Sequence, residues 1–353
     1  MRVVARACSC LARSLADDGS SGQELWAHDT SNASTWQVAE INSGSSSSNP
    51  GQHMELLVGD TLYFDANDGI SGIELWAHDT SNASTWQVAD IRSGSSSSSP
   101  GQYMEILVGD TLYFDATGSS GGHELWAHDT SNASTWQVAD IRSGSSSSSP
   151  GQYMEILVGD TLYFDATGSS GGHELWAHDT SNASTWQVAD IRSGPASSIP
   201  GQFILELVGD TLYFSANDGS SGNELWAHDT TNASTWQVAD IHSGGSSSSS
   251  DPGDNMAILV GDTLYFNANE GHAAPNRGRE LWAHDTSNAS TWLVADISPN
   301  LPSGTVGTSS PGDNGLGILI GDTLYFSAWD GSNGRELWAH DTSNASTWRV
   351  TDI

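Results

Sequence analysis

The sequence predicts an all-β fold, a β-propeller of seven four-stranded antiparallel blades in which the first blade is degenerate. The segment Glu-Leu-Trp-Ala-His-Asp-Thr occurs seven times, with four steps of 50 residues and two of 56. Each period contains short β-favouring runs between Gly, Ser, Asp and Asn, and no run has a useful helical period. Six blades are the alternative count. A β-solenoid is the rival architecture, but its rungs are shorter and need no internal hairpin.

Residues 101–150 represent one period and contain four predicted strands. The runs Met104–Val108 and Thr111–Asp115 flank Gly109-Asp110, which predicts a two-residue hairpin with Gly at positive φ. A Gly/Ser loop leads to the third predicted strand, Glu124–His128. An Asp-Thr-Ser-Asn turn then leads to the fourth, Thr135–Ile141. Such a meander buries both faces only when it packs against neighbouring sheets.

The chain is predicted to contain one propeller domain, residues 16–353, after a degenerate or poorly ordered segment, residues 1–15. In the first repeat, Arg13-Ser14 stand where Tyr63-Phe64 stand in the second. Arginines also interrupt the apolar stretch of this segment, which makes it a weak targeting sequence. The two cysteines, Cys8 and Cys10, lie outside the repeats, so no disulfide framework is expected.

The composition is strongly acidic. Ten arginines, no lysine and 43 acidic residues give a formal net charge of −33. Such a surface repels nucleic acid and anionic lipid and attracts cations, and it is typical of solubility in a salty or extracellular medium. No apolar run approaches the length of a membrane span. We therefore expect a monomer with neither nucleic-acid binding nor membrane insertion.

A longer motif resembles a known repeat family. Residues 216–229 read Ala-Asn-Asp-Gly-Ser-Ser-Gly-Asn-Glu-Leu-Trp-Ala-His-Asp, and the repeats also contain Val-Ala-Asp-Ile and Gly-Asp-Thr-Leu-Tyr-Phe. Over residues 16–353 this pattern is similar to the ELWxxDGT repeat family. The resemblance implies β-propeller domains in secreted or surface-associated proteins, mostly without an assigned activity. The family's Gly-Thr after the Asp is Thr-Ser here, or Thr230-Thr231 in one copy, so we expect the left-handed position of the turn to move to the following Asn.

The loop Asp65-Ala66-Asn67-Asp68-Gly69 resembles a calcium loop, because it is acidic and contains Gly. Calcium takes about six to eight oxygen ligands, usually from carboxylates at every second residue, whereas the spacing here differs. A type I turn followed by Gly also explains the pattern. The candidate ligands for calcium, with a metal-free turn as the alternative, are Asp65, Asn67, Asp68 and Asp218.

Two repeated motifs carry aromatic and titratable side chains. Fourteen of the fifteen tryptophans lie in the repeats, as Trp126 and Trp136 do, which favours packing between blades over sugar stacking. His-Asp recurs at the end of each third strand, as in His178-Asp179. Equivalent pairs on separate blades would not converge on one catalytic site, so we expect a structural role.

An N-glycosylation pattern, Asn-Ala-Ser, occurs in the turn of each repeat. A simple Asx turn is the alternative interpretation. The candidate acceptors are Asn32, Asn82, Asn132, Asn182, Asn232, Asn288 and Asn344.

The repetition breaks between His242 and Gly317, so a unique site is expected there. Equivalent blades suit repetitive ligands, and the sequence predicts a non-catalytic extracellular or cell-surface scaffold that binds protein or glycan. The alternative is a hydrolase or lyase with its site at the central pore or in the 242–317 loops, by fold analogy. The candidate binding residues are Glu270, His272, Asn276, Arg277, Arg279 and, in the last repeat, Trp329.

Overall fold

The computed structural model describes residues 11–245, 248–271, 278–298, 307–332 and 334–351, with side chains from residue 16 onward. These residues form seven antiparallel β-sheets, in each of which strands adjacent in sequence pair with one another. The prediction of an all-β propeller with seven antiparallel blades is therefore confirmed. Within the described ranges, the single helical element is a short 3-10 helix, Asp313–Gly315. No described helix has the length and apolar character needed to cross a membrane.

The chain divides into two compact units. Unit 1 comprises Met1–Glu155, Ala166–Ser169 and Asp179–Thr185, and unit 2 comprises Ile156–Asp165, Ser170–His178 and Trp186–Ile353. The first three sheets belong to unit 1, the last three belong to unit 2, and residues of the fourth sheet are divided between them.

The strands of the first three sheets have the following bounds. The first sheet contains β1 Leu11–Asp17, β2 Gln23–Asp29 and β3 Ser34–Ala39. The second contains β4 Glu55–Val58, β5 Thr61–Asn67, β6 Ile73–Asp79 and β7 Ser84–Ala89. The third contains β8 Glu105–Val108, β9 Thr111–Thr117, β10 His123–Asp129 and β11 Ser134–Ala139.

The remaining sheets each contain four strands. The fourth contains β12 Glu155–Val158, β13 Thr161–Thr167, β14 His173–Asp179 and β15 Ser184–Ala189. The fifth contains β16 Leu205–Val208, β17 Thr211–Asn217, β18 Asn223–Asp229 and β19 Ser234–Ala239. The sixth contains β20 Ala257–Val260, β21 Thr263–Asn269, β22 Arg279–Asp285 and β23 Ser290–Ala295. The seventh contains β24 Gly317–Ile320, β25 Thr323–Trp329, β26 Arg335–Asp341 and β27 Ser346–Thr351.

Among the residues that the structure describes, the first sheet differs from the others because it has three strands. We expected no recognisable first pair of strands and placed a boundary after residue 15. The structure instead has β1, which pairs with β2 from Leu11 opposite Asp29 to Asp17 opposite Gln23. The sequence pattern did not reveal this strand, because a ladder joins backbone groups and does not require β-favouring side chains.

Apolar side chains of adjacent sheets pack together within each unit. In unit 1, Met54 and Tyr63 of the second repeat pack with Phe114 of the third, and the ring of Phe114 is fully buried. In unit 2, Tyr265 packs with Phe326 in the same way. Full burial of one such side chain contributes roughly 1.5–3 kcal/mol. This packing is what the repeated Leu-Tyr-Phe and Glu-Leu-Trp segments provide.

The two turn types of the repeat follow their sequences. The predicted hairpin at Gly109-Asp110 is present, with Val108 opposite Thr111 and Gly109 at φ 60°. The prediction for the turn between the third and fourth strands of the repeat named the wrong left-handed residue. The left-handed residue is the alanine after Asn, as at Ala133, and its φ lies between 57° and 61° in all seven copies.

Hydrogen bonds explain why the alanine, and not the asparagine, is left-handed. Asp129 Oδ1 accepts the N–H of Ser131 at 2.8 Å, and Asp129 Oδ2 accepts the side-chain amide of Asn132 at 2.6 Å. Asn132 Oδ1 in turn accepts the N–H of Ser134 at 3.0 Å. These bonds hold Asn132 inside the turn. The hydroxyl of Ser131 also donates to Asp129 Oδ1, and this bond is the main cause that holds the pKa of Asp129 below its usual value.

A buried glutamate in each of several repeats ties the third strand to the linker that follows the fourth. Glu280 is fully buried and accepts the N–H of Ile297 at 2.8 Å and that of Ser309 at 3.1 Å. A carboxylate thus satisfies backbone groups of an irregular segment that has no ladder partner there. We call this contact the glutamate clasp. It recurs at Glu74, Glu124, Glu174 and Glu224.

The Ser309 hydroxyl also takes part in the clasp. It lies 3.2 Å from the Arg279 carbonyl oxygen and donates to Glu280 Oε2 at 2.6 Å. Burial raises the pKa of Glu280 to about 7, and the hydrogen bond from Ser309 opposes that rise. Glu224 has the same geometry with Ser250, and burial raises its pKa to about 7 as well.

We expect the stability difference between the wild type and Glu280→Gln to depend on pH. The pKa of Glu280 is about 7 in the folded state against 4.5 for an ordinary glutamate, so the native state binds more protons between these values. The stability that Glu280 contributes is therefore complete below about pH 4.5, declines above it and is lost by about pH 7. At about 1.4 kcal/mol per pKa unit, the loss is on the order of 2–3 kcal/mol.

Urea denaturation of the wild type and Glu280→Gln at about pH 5 and about pH 8 measures this loss. The titratable groups that both proteins share contribute equally to the two unfolding free energies and cancel in their difference. The advantage of the wild type over Glu280→Gln should shrink by that amount at the higher pH. Glu40→Gln, at an exposed carboxylate that takes no part in a clasp, is the matched control. An equal difference at both pH values for Glu280→Gln would contradict the raised pKa of Glu280.

The substitution Ala133→Gly should stabilise the protein. Glycine removes the steric cost of φ 59° at this position, and it also makes the unfolded chain more flexible. The net gain in the free energy of unfolding should be about 0.5–1 kcal/mol. Ala127→Gly, at a fully buried strand position, is the control and should destabilise the protein. Equal effects of the two substitutions on the denaturation midpoint would show that the turn is not strained.

Candidate functional site

Unit 2 contains a cleft of about 360 Å³ where the first strands of three sheets, β16, β20 and β24, begin. Its lining combines an aromatic ring, aliphatic side chains, a carboxylate and an amide. Residues that represent these groups are Phe203, Leu205, Glu206, Asn255, Ile258 and Gly317.

A departure from the repeat creates this cleft. The strands β4, β8 and β12 begin with glutamate, and in β4 and β8 this glutamate lies opposite a phenylalanine of the next strand. At the same position, β16, β20 and β24 have Leu205, Ala257 and Gly317. These side chains are apolar and become progressively smaller. A Cβ at Gly317 would lie 3.5 Å from Ile258 Cδ1 and from Met256 Sδ, so missing side-chain volume opens part of the cleft.

The acidic groups of the cleft have different partners. Asp254 lines it, but its Oδ2 lies 2.5 Å from Arg279 Nη1, and Arg279 also pairs with Asp251 at 3.2 Å. Burial raises the pKa of Asp251, and the nearby arginine opposes that rise. Burial also raises the pKa of Glu206. The guanidinium therefore compensates the charge of Asp254, while Glu206 provides the acidic group of the cleft wall.

The predicted binding residues lie in different places. Arg279 is adjacent to the cleft through its ion pair with Asp254. The backbone N–H of Glu270 donates to the Gly278 carbonyl oxygen at 3.1 Å. Trp329 ends β25, opposite Arg335, and is partly exposed. The predicted residues His272, Asn276 and Arg277 lie outside the described part of the chain.

In unit 1, the first-strand glutamates are linked in series. Glu105 Oε2 accepts the backbone N–H of Glu55 at 3.1 Å, and Glu155 Oε2 accepts that of Glu105 at 3.2 Å. Burial, with a further contribution from the charges of Glu105 and Asp115, raises the pKa of Glu155 to about 7. These carboxyls occupy the strand position at which unit 2 has apolar residues.

The sequence analysis did not predict two histidine–aspartate pairs that the structure contains. His123 Nδ1 lies 2.9 Å from Oδ2 of the fully buried Asp115, and the Tyr103 ring lies 5.7 Å from that imidazole. His173 and Asp165 form the same pair at 2.9 Å. The sequence feature that could have revealed these pairs is that His123 and His173 stand where the second repeat has Ile73. In the second sheet, Oδ2 of the buried Asp65 has no hydrogen-bond partner within the described chain.

The repeated His-Asp motif has the structural surroundings that we expected. His128 Nδ1 lies 2.8 Å from the Thr135 hydroxyl, its side chain is almost fully buried, and its ring lies 5.3 Å from that of Tyr63. Burial lowers the pKa of His128. An imidazole enclosed in this way contacts neighbouring sheets rather than a ligand in solution.

The predicted calcium ligands are engaged in hydrogen bonds with the chain. Asp65 Oδ1 accepts the N–H groups of His53 and Met54, and Asn67 Oδ1 accepts that of Gly69. Asp68 and Asp218 each accept two N–H groups of their own loops. Within the described residues, no three His, Cys, Asp or Glu side chains are grouped to hold a metal. Calcium binding by this loop stays a prediction.

The candidate glycosylation sites lie in exposed turns. Asn132 and its six equivalents are exposed, and the Asp-Ser-Asn hydrogen bonds recur, which is the geometry of an Asx turn. The Asn132 Nδ2 that would carry a glycan donates to Asp129 Oδ2. Modification at these positions stays a prediction.

The two tryptophans of each repeat differ in exposure. Trp126 packs against the core formed by Met54, Leu112 and Phe114, as expected. Trp136 is 40 % exposed, because it lies on the last strand of its sheet opposite the small Ala127. Trp136 therefore packs against other side chains over only part of its surface, which is less than we expected. Its equivalents are 38–42 % exposed, and they are Trp36, Trp86, Trp186, Trp236, Trp292 and Trp348.

Comparisons with known proteins found distant structural similarity. No family model and no curated protein matches the chain, so membership of the ELWxxDGT repeat family stays a prediction. Oligopeptidase B from Leishmania major is similar in structure, with a TM-score of 0.47 and 11 % identity over 99 % of this chain and 48 % of that one. A puromycin hydrolase has a TM-score of 0.43 and 11 % identity, over 99 % of this chain and 54 % of its own.

A structure from work on two prolyl endopeptidases has a TM-score of 0.47 and 11 % identity, over 99 % of this chain and 49 % of that one. The present chain spans about half the length of these solved structures. A likeness of this size does not transfer the activity of the matched peptidases.

The substitution His123→Ile should destabilise the protein, because it leaves the buried Asp115 Oδ2 without its partner, as Ile73 leaves Asp65 Oδ2. An unsatisfied buried polar group costs about 1–3 kcal/mol. The reciprocal change Ile73→His gives Asp65 a partner and should raise the free energy of unfolding by about 1 kcal/mol. Denaturation at neutral pH measures both, and a loss of stability in each variant would contradict this account.

Proposed function

We propose that this chain is a non-catalytic binding scaffold for a polymeric ligand, which it holds through equivalent sites on successive sheets. The observation that carries the proposal is the indole that each of the seven sheets exposes by 38–42 % on its last strand. The surroundings of these indoles repeat with the sequence, since Ser-Thr-Trp forms part of that strand in every sheet. Repeated sites of one kind match a ligand made of repeated units.

The chemistry of the sites favours a glycan. An indole has a broad apolar face that suits the apolar face of a sugar ring, and its binding energy per contact is small. Several weak contacts on one polymer give useful avidity without any tight single site. The net charge of −33 disfavours acidic polysaccharides. The proposed ligand is therefore a neutral or amine-bearing glycan outside the cell or at its surface.

The same surface suits a repetitive protein ligand less well, because the sheets bear polar turns with a partly exposed Asp and an exposed Asn beside each indole. A protein ligand is therefore an alternative outcome of the binding test. A hydrolase or lyase is the other alternative, and it would reveal itself by the release of fragments from the bound polymer.

Removal of the exposed indoles should weaken glycan binding in steps. The single variant Trp136→Ala and the triple variant Trp86→Ala, Trp136→Ala and Trp186→Ala can be compared on immobilised neutral glucan, mannan and chitosan. Each lost stack should reduce affinity about 2- to 10-fold, from roughly 0.5–1.5 kcal/mol per aromatic contact. Ile70→Ala is the matched control, since Ile70 is 77 % exposed but lies in a loop.

The result that would contradict the proposal is a wild-type protein that binds none of these polymers, or variants that bind as well as the wild type. Binding to a protein with the same dependence on the indoles would replace glycan by protein as the ligand. Soluble fragments released by the wild type would identify the catalytic alternative. Unchanged circular dichroism of each variant ensures that losses do not come from unfolding.

A further inference from the structure

We propose that two copies of this chain associate through one face of the seventh sheet and form a symmetric dimer. This face carries large apolar side chains that are exposed here, although other sheets bury the same repeat positions. The inference does not rest on the proposed binding of a glycan. We call this surface the seventh-sheet face, and its residues are Leu316, Ile318, Ile320, Tyr325, Leu337 and Val350.

The seventh sheet has one packed face and one exposed face, because successive strand residues point to opposite sides. In β24, Leu319 packs against the core shared with the sixth sheet, while Ile318 and Ile320 are 49 % and 61 % exposed. In β25, Phe326 is fully buried in that core, and the preceding Tyr325 is partly exposed. The exposed apolar residues therefore share the side that does not face the sixth sheet.

The equivalent face of the second sheet is covered by the third sheet. Met54 and Leu75 are fully buried there, in one core with Phe114 of the third sheet. Leu316 occupies the repeat position of Met54 and is 39 % exposed, and Leu337 occupies that of Leu75 and is partly exposed. The seventh-sheet face thus has the composition of an interface between sheets without being covered like one. Exposed apolar patches of this kind are typical of association sites.

A second copy offers one matching surface, the same face. The opposite side of a repeat bears a leucine and a phenylalanine, as at Leu62 and Phe64, and from the second to the seventh sheet these are at most 1 % exposed. In the first sheet, Ala12 and Ser14 stand at these two register positions. Among the described residues, the exposed large apolar side chains other than the repeated indoles and Ile70 all lie on the seventh-sheet face. The contact is therefore twofold, with the same patch on both copies.

The strands of the seventh sheet also lack the negative charge found on other sheets. They contain two acidic residues, Glu336 and Asp341, and two arginines, Arg335 and Arg349, so their formal charges cancel. The strands of the third sheet contain four acidic residues and no arginine. The net charge of −33 for the whole chain predicted a monomer, but two copies meet less repulsion through the seventh sheet than through one such as the third.

Sedimentation velocity of the full chain tests the proposal. Between about 1 and 200 µM the chain should pass from its monomer mass of 37.2 kDa to twice that mass, with a dissociation constant on the order of 10 µM, as expected for a small interface. Association should be tighter at about 1 M than at about 0.1 M NaCl, because the Debye length falls from about 10 Å to about 3 Å and the repulsion between acidic copies is screened.

Variants on both edge strands of the sheet test the place of contact. The double variant Ile318→Ser and Ile320→Ser should weaken dimerisation about tenfold or more, and Val350→Ser about threefold or more, because each removes exposed apolar surface. Ile70→Ser is the matched control, since Ile70 is 77 % exposed in a loop outside this face and should leave dimerisation unchanged. Circular dichroism of each variant should match that of the wild type.

Urea denaturation distinguishes a second copy from a sheet of the same chain as the occupant. Val260 of β20 stands at the position of Ile320 and packs in the core shared with the seventh sheet. Val260→Ser should lower the urea midpoint, whereas Ile320→Ser should leave it nearly unchanged at about 0.5 µM, where the chain is mostly monomeric.

The proposal is overturned if the wild type stays monomeric at about 200 µM, or if its association weakens with salt as an ionic contact would. It is also overturned if the variants of the seventh-sheet face dimerise like the wild type. Equal losses of urea midpoint for Ile320→Ser and Val260→Ser would overturn it too, because the face would then be covered within the chain.

Discussion

The second to sixth sheets each depend on a glutamate that is buried between the third strand and the linker after the fourth. The linkers are rich in Gly and Ser and have little apolar surface to bury, so packing alone does not hold them. The carboxyl of Glu280 accepts two backbone N–H groups and the hydroxyl of Ser309. This contact orders the linker and thereby positions the first strand of the next repeat.

The repeated and unrepeated parts of the chain have different consequences. The repeated part produces the core, the turns and one exposed indole per sheet. Its sites are alike, so they suit avidity rather than a single chemical step. The unrepeated part removes glutamates from first strands and leaves Leu205, Ala257 and Gly317. The cleft of unit 2 lies at these strand starts.

Much of the fold was predictable because its determinants are local. The Gly109-Asp110 hairpin and the four strands of residues 101–150 follow from turn residues and β-favouring runs. The strand β1 was not predictable, because its pairing is a backbone interaction. The left-handed Ala133 was also missed, since the hydrogen bonds that fix it join three side chains of the same turn.

The candidate site was less accessible to sequence reasoning. The break in repetition between residues 242 and 317 pointed to part of the cleft wall, including Asn255 and Ile258. Glu206 and Leu205 lie before that break, and their role depends on which strand starts come together in space. Likewise, the exposure of Trp136 depends on its place at the edge of a sheet and on the small Ala127 opposite it. Contacts between segments distant in sequence decide these features.

The most direct test of the glutamate clasp is carbon-13 NMR of the folded protein with labelled glutamate carboxyls, followed through a pH titration. The account predicts that the Glu224 and Glu280 carboxyls, assigned by Glu→Gln variants, stay protonated at pH 6 and ionise near 7. Ionisation of both carboxyls near 4.5, the ordinary value for glutamate, would contradict the effect of burial on these carboxyls.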